Sequence, residues 1–101
     1  MVYQMPQSEI KKLHAVYTAT AEGKDAEAAM IEAAEDRGYF VTDETNTPTA
    51  EGGYVHNIRL TKIEENPKNP ALVIEHCGWA HCNHPPMQHR HRRSEWYCYF
   101  L

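Results

Sequence analysis

The spacing of apolar residues changes several times along the chain, and each change marks an element. Two periods compete near the start. Ile10, Leu13 and Tyr17 recur at helical spacing behind Ser8, a capable N-cap, and fit a short helix. Val16, Tyr17, Thr18 and Thr20 are β-branched or aromatic and favour a strand over Leu13–Ala21, which is the preferred reading. Gly23-Lys24-Asp25 then opens a helix, with Asp25 as the expected N-cap. Ala26–Arg37 is rich in alanine, and Gly38 suits the position just past a helix end. Ala26, Ala29, Met30 and Ala33 form one narrow stripe that lets the helix lie close on a sheet. Glu32, Glu35 and Asp36 face away from it.

Tyr39–Thr42 reads as a second strand, and residues 43–53 (DETNTPTAEGG) as a polar loop. Val55, Ile58, Leu60 and Ile63 mark a third strand over Tyr54–Ile63. Pro67 and Pro70 exclude a ladder position for residues 64–70. Ala71–Glu75 is a short buried strand, and Trp96–Leu101 a final one. The expected architecture is a single α+β domain over residues 1–101. One Ala-rich helix packs on a mostly antiparallel sheet of about four or five strands, and a His/Cys/Arg-rich loop over residues 76–95 precedes the last strand.

Composition narrows the class. The chain has 101 residues, 42% hydrophobic and 24% charged, as one ordinary domain does. Its apolar runs, Ala71–Ile74 and Tyr97–Leu101, fall far short of the roughly 20 residues of a membrane span. The opening Met1-Val2-Tyr3-Gln4-Met5-Pro6 has no basic region leading into an apolar one, so neither a secretory nor a transit signal is expected. The expected place is the cytosol. Net charge is −4, unevenly spread. Residues 1–75 carry 13 acids and 7 bases; residues 76–101 carry one acid, three arginines and five of the seven histidines. An acidic body is poor at holding phosphates and suits a basic partner. Glu32, Glu35 and Asp36, with Asp43, Glu44 and Glu51, make up the candidate acidic face for a nucleic-acid-handling protein complex. Any one of them taken alone reads rather as solubilising surface.

The C-terminal quarter carries the candidate chemistry. His-Cys occurs twice, at 76–77 and 81–82, and eight His or Cys residues fall within residues 76–98. Thiolate and imidazole are the usual zinc ligands. Cys77, His81, Cys82, His84, His89 and Cys98 are the candidate set, with zinc the possible cofactor. Were Gly78-Trp79-Ala80 a hairpin loop, alternation along the flanking strands would keep His76, Cys77, His81 and Cys82 from converging on one ion. No familiar zinc-finger spacing is present. Cys77 and Cys98 read equally well as small buried hydrophobes, with the histidines in a solvated loop.

Other chemistries are thinner. A Cys/His nucleophile needs an oriented third group that spacing does not reveal. There is no Gly-rich phosphate loop and no His-Glu-x-x-His. Arg90, Arg92 and Arg93, with Trp79, Trp96, Tyr97 and Tyr99, offer a small footprint for direct contact with single-stranded nucleic acid.

The run from Leu13 to Thr42 passes through a Gly-Lys-Asp turn and an acidic Ala-rich helix to Gly38-Tyr39-Phe40-Val41. It resembles small α+β accessory proteins of bacteriophages and mobile elements, among them inhibitors of bacterial CRISPR systems. That resemblance implies a non-enzymatic protein that covers a surface of a nucleoprotein complex by steric and electrostatic occlusion. The alternative expectation is a zinc-binding module whose C-terminal loop contacts nucleic acid or protein.

Overall fold

The computed structural model describes all residues, Met1–Leu101. In chain order it holds β1 (Val2–Gln4), α1 (Gln7–Ala19), α2 (Gly23–Asp36), β2 (Phe40–Pro48), β3 (Tyr54–Glu65), β4 (Val73–His84) and β5 (Cys98–Phe100). Two single-turn 3-10 helices, Met87–His89 and Arg93–Glu95, lie between β4 and β5. The class is α+β, as expected, with two helices where one was expected.

β4 is the spine of the sheet. One of its edges pairs antiparallel with β3 from Val73 to His84. Its other edge is shared: β1 runs parallel to residues 75–77, and β5 antiparallel to residues 80–82. β2 completes the order β1-β4-β3-β2 as an edge strand, with a bulge at Thr42. No helix is long and apolar enough to cross a membrane.

Alternation along the strands sorts the two faces. Ile58 and Leu60 of β3 and Gly78, Ala80 and Cys82 of β4 point to the side on which both helices lie. There they join Met5, Leu13, Tyr17, Ala26, Met30, Ala34, Tyr39 and Cys98 in one core cluster. A Cβ on Gly78 would press on Met5 at 3.1 Å, so a small residue is needed where the chain crosses from β1 into α1. Asn57, Arg59, Cys77, Trp79, His81 and Tyr99 point to the other face, which no element covers. Trp79, His81 and Tyr99 stack in a row there.

Five expectations are corrected. Residues 13–19 are the end of a helix, and 20–21 the turn after it, not a strand. Leu13 and Tyr17 fall one turn apart and bury on α2 and the sheet, and that burial outweighs the β-branched composition. The N-cap position is Pro6 rather than Ser8, and no side chain caps the helix there. α2 likewise begins at Gly23 behind Glu22, before the expected Asp25 cap. Gly38 does follow the helix with φ +89°. Residues 43–48 are strand rather than loop: the Asn57 amide donates to the hydroxyls of Thr45 and Thr47, so the polar edge pairs side chain to side chain as well as through its backbone. Residues 76–84 are not a loop either, because β4 runs unbroken to His84.

Candidate metal centre

Beyond Ile58 and Cys82 the helix-side face of the sheet continues outward, and the next residues on it are His56 of β3 and His84 of β4. His56 lies opposite Cys82, so His84, two residues on, is its diagonal neighbour. Glu27 comes down from α2. It belongs to the stripe of Ala26, Met30 and Ala34 that packs on the sheet, a place where an apolar side chain is the norm. It is 8% exposed.

The three side chains meet. One Glu27 oxygen faces His56 Nδ1 and the other faces His84 Nε2. Their donor atoms lie within 4.8 Å of one another. The far nitrogen of His56, Nε2, stands 2.9 Å from Glu44 Oε2 on β2. His84 is clamped in turn: Tyr54 stacks flat on it at 4.5 Å, and the edge of Trp96 meets it at 5.3 Å. Trp96 owes its place to Gly23 at the start of α2, where a Cβ would fall 2.0 Å from the indole ring. The indole N–H donates to the Arg90 carbonyl at 2.9 Å.

Electrostatics make the cluster unusual. Burial pushes the Glu27 carboxyl up, but the hydrogen bond and charge of His84, joined by those of His56, outweigh it and hold the carboxyl below its ordinary value. Carboxylate oxygens only accept hydrogen bonds, and a neutral imidazole has one N–H to give. His56 faces a carboxylate oxygen at both ring nitrogens. One of those contacts is unmet unless a cation, a proton or a metal ion, sits between ring and carboxylate. Two imidazole nitrogens and a carboxylate are a borderline-hard set that suits first-row divalent ions and leaves a coordination position free. With an ion at Nδ1, the Nε2–H of His56 donates to Glu44, the carboxylate–histidine–metal arrangement that fixes the ring's tautomer and orientation.

Only His84 of the six expected ligands takes part. Cys77 lies on the uncovered face, where the Arg59 guanidinium donates to its sulfur at 3.1 Å. His81 is on the same face, donating from Nδ1 to Asn57 Oδ1 at 2.5 Å, and burial lowers its pKa. Cys82 and Cys98 are buried together in the core, with sulfurs 3.1 Å apart. His89 pairs with Glu95 at 3.1 Å. Strand alternation puts Cys77 and Cys82 on opposite faces, so the density of His and Cys in the sequence does not become a cluster in space. Glu27 and His56 were missed because they lie 29 residues apart and far from that segment. The one signal that could have found Glu27 is a carboxylate on the apolar stripe of α2.

The expected acidic face divides. Glu32, Glu35 and Asp36 are exposed along α2 and form no ion pair. Asp43 and Glu44 are adjacent on β2 and point to opposite sides of the sheet; Glu44 is taken up by His56. Glu51 sits in the turn between β2 and β3. Of the arginines, Arg93 donates inward to the carbonyls of Tyr17, Thr20 and Trp96, and Arg92 pairs with Glu95 at 3.6 Å. Arg90 is left exposed beside His91. Comparison of the chain with protein-family models, with curated proteins and with solved structures gives no match in any of the three.

Proposed function

We propose that this protein is a non-enzymatic binding domain organised around a divalent metal ion, zinc by the chemistry of its donors, held by Glu27, His56 and His84. The observation that supports the reading is the meeting of two imidazole nitrogens and one buried carboxylate from three different elements, with Glu44 behind one of the imidazoles. Such an ion ties α2 to β3 and β4 at the open end of the core. On this reading the ion fixes a shape, and the domain works in the cytosol by binding. Native mass spectrometry with zinc and cobalt titrations tests it. The expected result is one ion per chain, a fall in melting temperature on chelation, and loss of binding in Glu27→Gln. Binding that survives Glu27→Gln but is lost in Cys82→Ser would overturn it.

A second reading concerns what the domain binds, and rests on Glu32, Glu35 and Asp36, three exposed carboxylates along α2 without cationic partners. They present a line of negative charge to a basic groove of a nucleic-acid-handling complex, which the protein then occludes. Reversing all three charges should abolish capture of such a complex and remove its salt dependence. Unchanged capture disposes of this reading and leaves the metal centre standing.

A further inference from the structure

We propose that Cys82 and Cys98 are a redox modification site: oxidation joins them in a disulfide that staples β5 to β4. Its basis is separate from the metal centre.

The register places the two cysteines directly opposite each other on neighbouring antiparallel strands. The ladder bonds on either side run from Asn83 N to the Tyr97 carbonyl and from Leu101 N to the Trp79 carbonyl. Counting inward from those bonds, Cys82–Cys98 is a pair that exchanges no backbone hydrogen bond. Such pairs hold their Cα atoms closest, near 4.5 Å, inside the span a disulfide bridges. The sulfurs are already in contact at 3.1 Å, with Met30 Sδ 3.7 Å from Cys98. Both side chains occupy the core, the Cys82 thiol donating to Cys98 Sγ and the Cys98 thiol to Met30 Sδ. Cys77 lies on the opposite face of the sheet and is out of reach, so the molecule carries its own control.

The oxidant is a small disulfide such as oxidised glutathione. Cys98 lies on a strand of three residues, so local opening of β5 exposes it at less cost than unfolding the domain. Its sulfur attacks glutathione disulfide, forming a mixed disulfide and releasing one glutathione. Cys82 then attacks the Cys98 sulfur, the protein S–S bond forms, and the second glutathione leaves. Two thiol hydrogens and two electrons pass to the two glutathiones, which balances the exchange. The bridge joins residues 16 apart in sequence and encloses residues 83–97, which carry Trp96 and Arg93, the side chains that lock residues 85–97 against α1 and α2. In a reducing cytosol the dithiol is the resting form, and the bridge answers disulfide stress.

The test is to equilibrate the full chain with graded mixtures of reduced and oxidised glutathione. One set is in buffer and one in urea at the foot of the unfolding transition, where β5 opens often. Thiol counting, intact mass and peptide mapping follow. The expected result is loss of two of the three thiols, a mass lower by two hydrogens, and a Cys82–Cys98 cross-link. The melting temperature should rise by about 10 °C or more. Three thiols surviving in both sets, a stable glutathione adduct that goes no further, a bridge involving Cys77, or a lowered melting temperature each overturns the proposal. The mapping uses the wild-type chain, so it does not depend on a cysteine variant folding.

Discussion

Replacing Glu44 by Gln separates a metal centre from a mere cluster of charges. Glu44 is on the edge strand β2, and its side chain is 60% exposed. In the metal-free protein its pairing with His56 is therefore worth at most about 1 kcal/mol. With an ion on His56 Nδ1, the same carboxylate accepts from Nε2–H and holds the ring in its binding tautomer. Loss of such a partner weakens metal affinity by about 10- to 100-fold. Taking the smaller figure, the variant loses about 1.4 kcal/mol of binding free energy. At a free ion concentration 100 times the wild-type Kd, the ion stabilises the wild type by about 2.7 kcal/mol and the variant by roughly half of that. For a domain of this size, the metal-induced rise in Tm should be smaller in the variant by about 5–10 °C. The assay is a zinc titration by calorimetry, with melts of both proteins in chelator and in zinc. A Kd within twofold of wild type would mean that Glu44 does not support a metal ligand. So would a metal-free Tm that falls as far as the metal-loaded one, since Glu44 would then serve only the fold.

Three further outcomes are expected. Gly23→Ala puts a Cβ 2.0 Å from the Trp96 ring, so it should cost about 1–3 kcal/mol in urea unfolding and shift the tryptophan emission to the red as Trp96 leaves His84. Leu13→Ala should cost about 2–5 kcal/mol, because Leu13 is fully buried between the helices and the sheet; an exposed strand position there would cost little. The hydrogen bond from Arg37 holds the Glu9 carboxyl below its ordinary value, so this pair's contribution is present above the unfolded carboxyl's pKa and is lost as pH falls through the lower folded one. Glu9→Gln should flatten the fall in urea midpoint between about pH 5 and about pH 3, and an unchanged acid limb would count against the pairing.

The parts of the fold written in local patterns were legible. Alanine content and Gly38 located α2, alternation located the inner half of β3, and the α+β class followed. What was not legible depended on partners distant in sequence. α1 is decided by where Leu13 and Tyr17 bury, not by their neighbours' β-branched side chains. The continuation of β2 over residues 43–48 is polar and exposed, so no apolar period announces it; it exists because β3 offers a complementary edge. β4 was cut short because its inward positions include Gly78, Ala80 and Cys82, small residues that read as loop in sequence and as close packing in space. The same blindness applied to the candidate site. A run of His and Cys draws attention, yet a strand throws alternate members to opposite faces. The three residues that do meet come from three elements, and only His84 lay in that run.

On the proposed reading an ion sits on nitrogen and oxygen donors at Glu27, His56 and His84, not on the cysteines. X-ray absorption spectroscopy of the zinc-loaded protein tests it most directly. The expected spectrum shows nitrogen and oxygen alone at about 2.0–2.1 Å, with imidazole scattering beyond them. A sulfur shell at about 2.3 Å would contradict it and return the zinc to the cysteines.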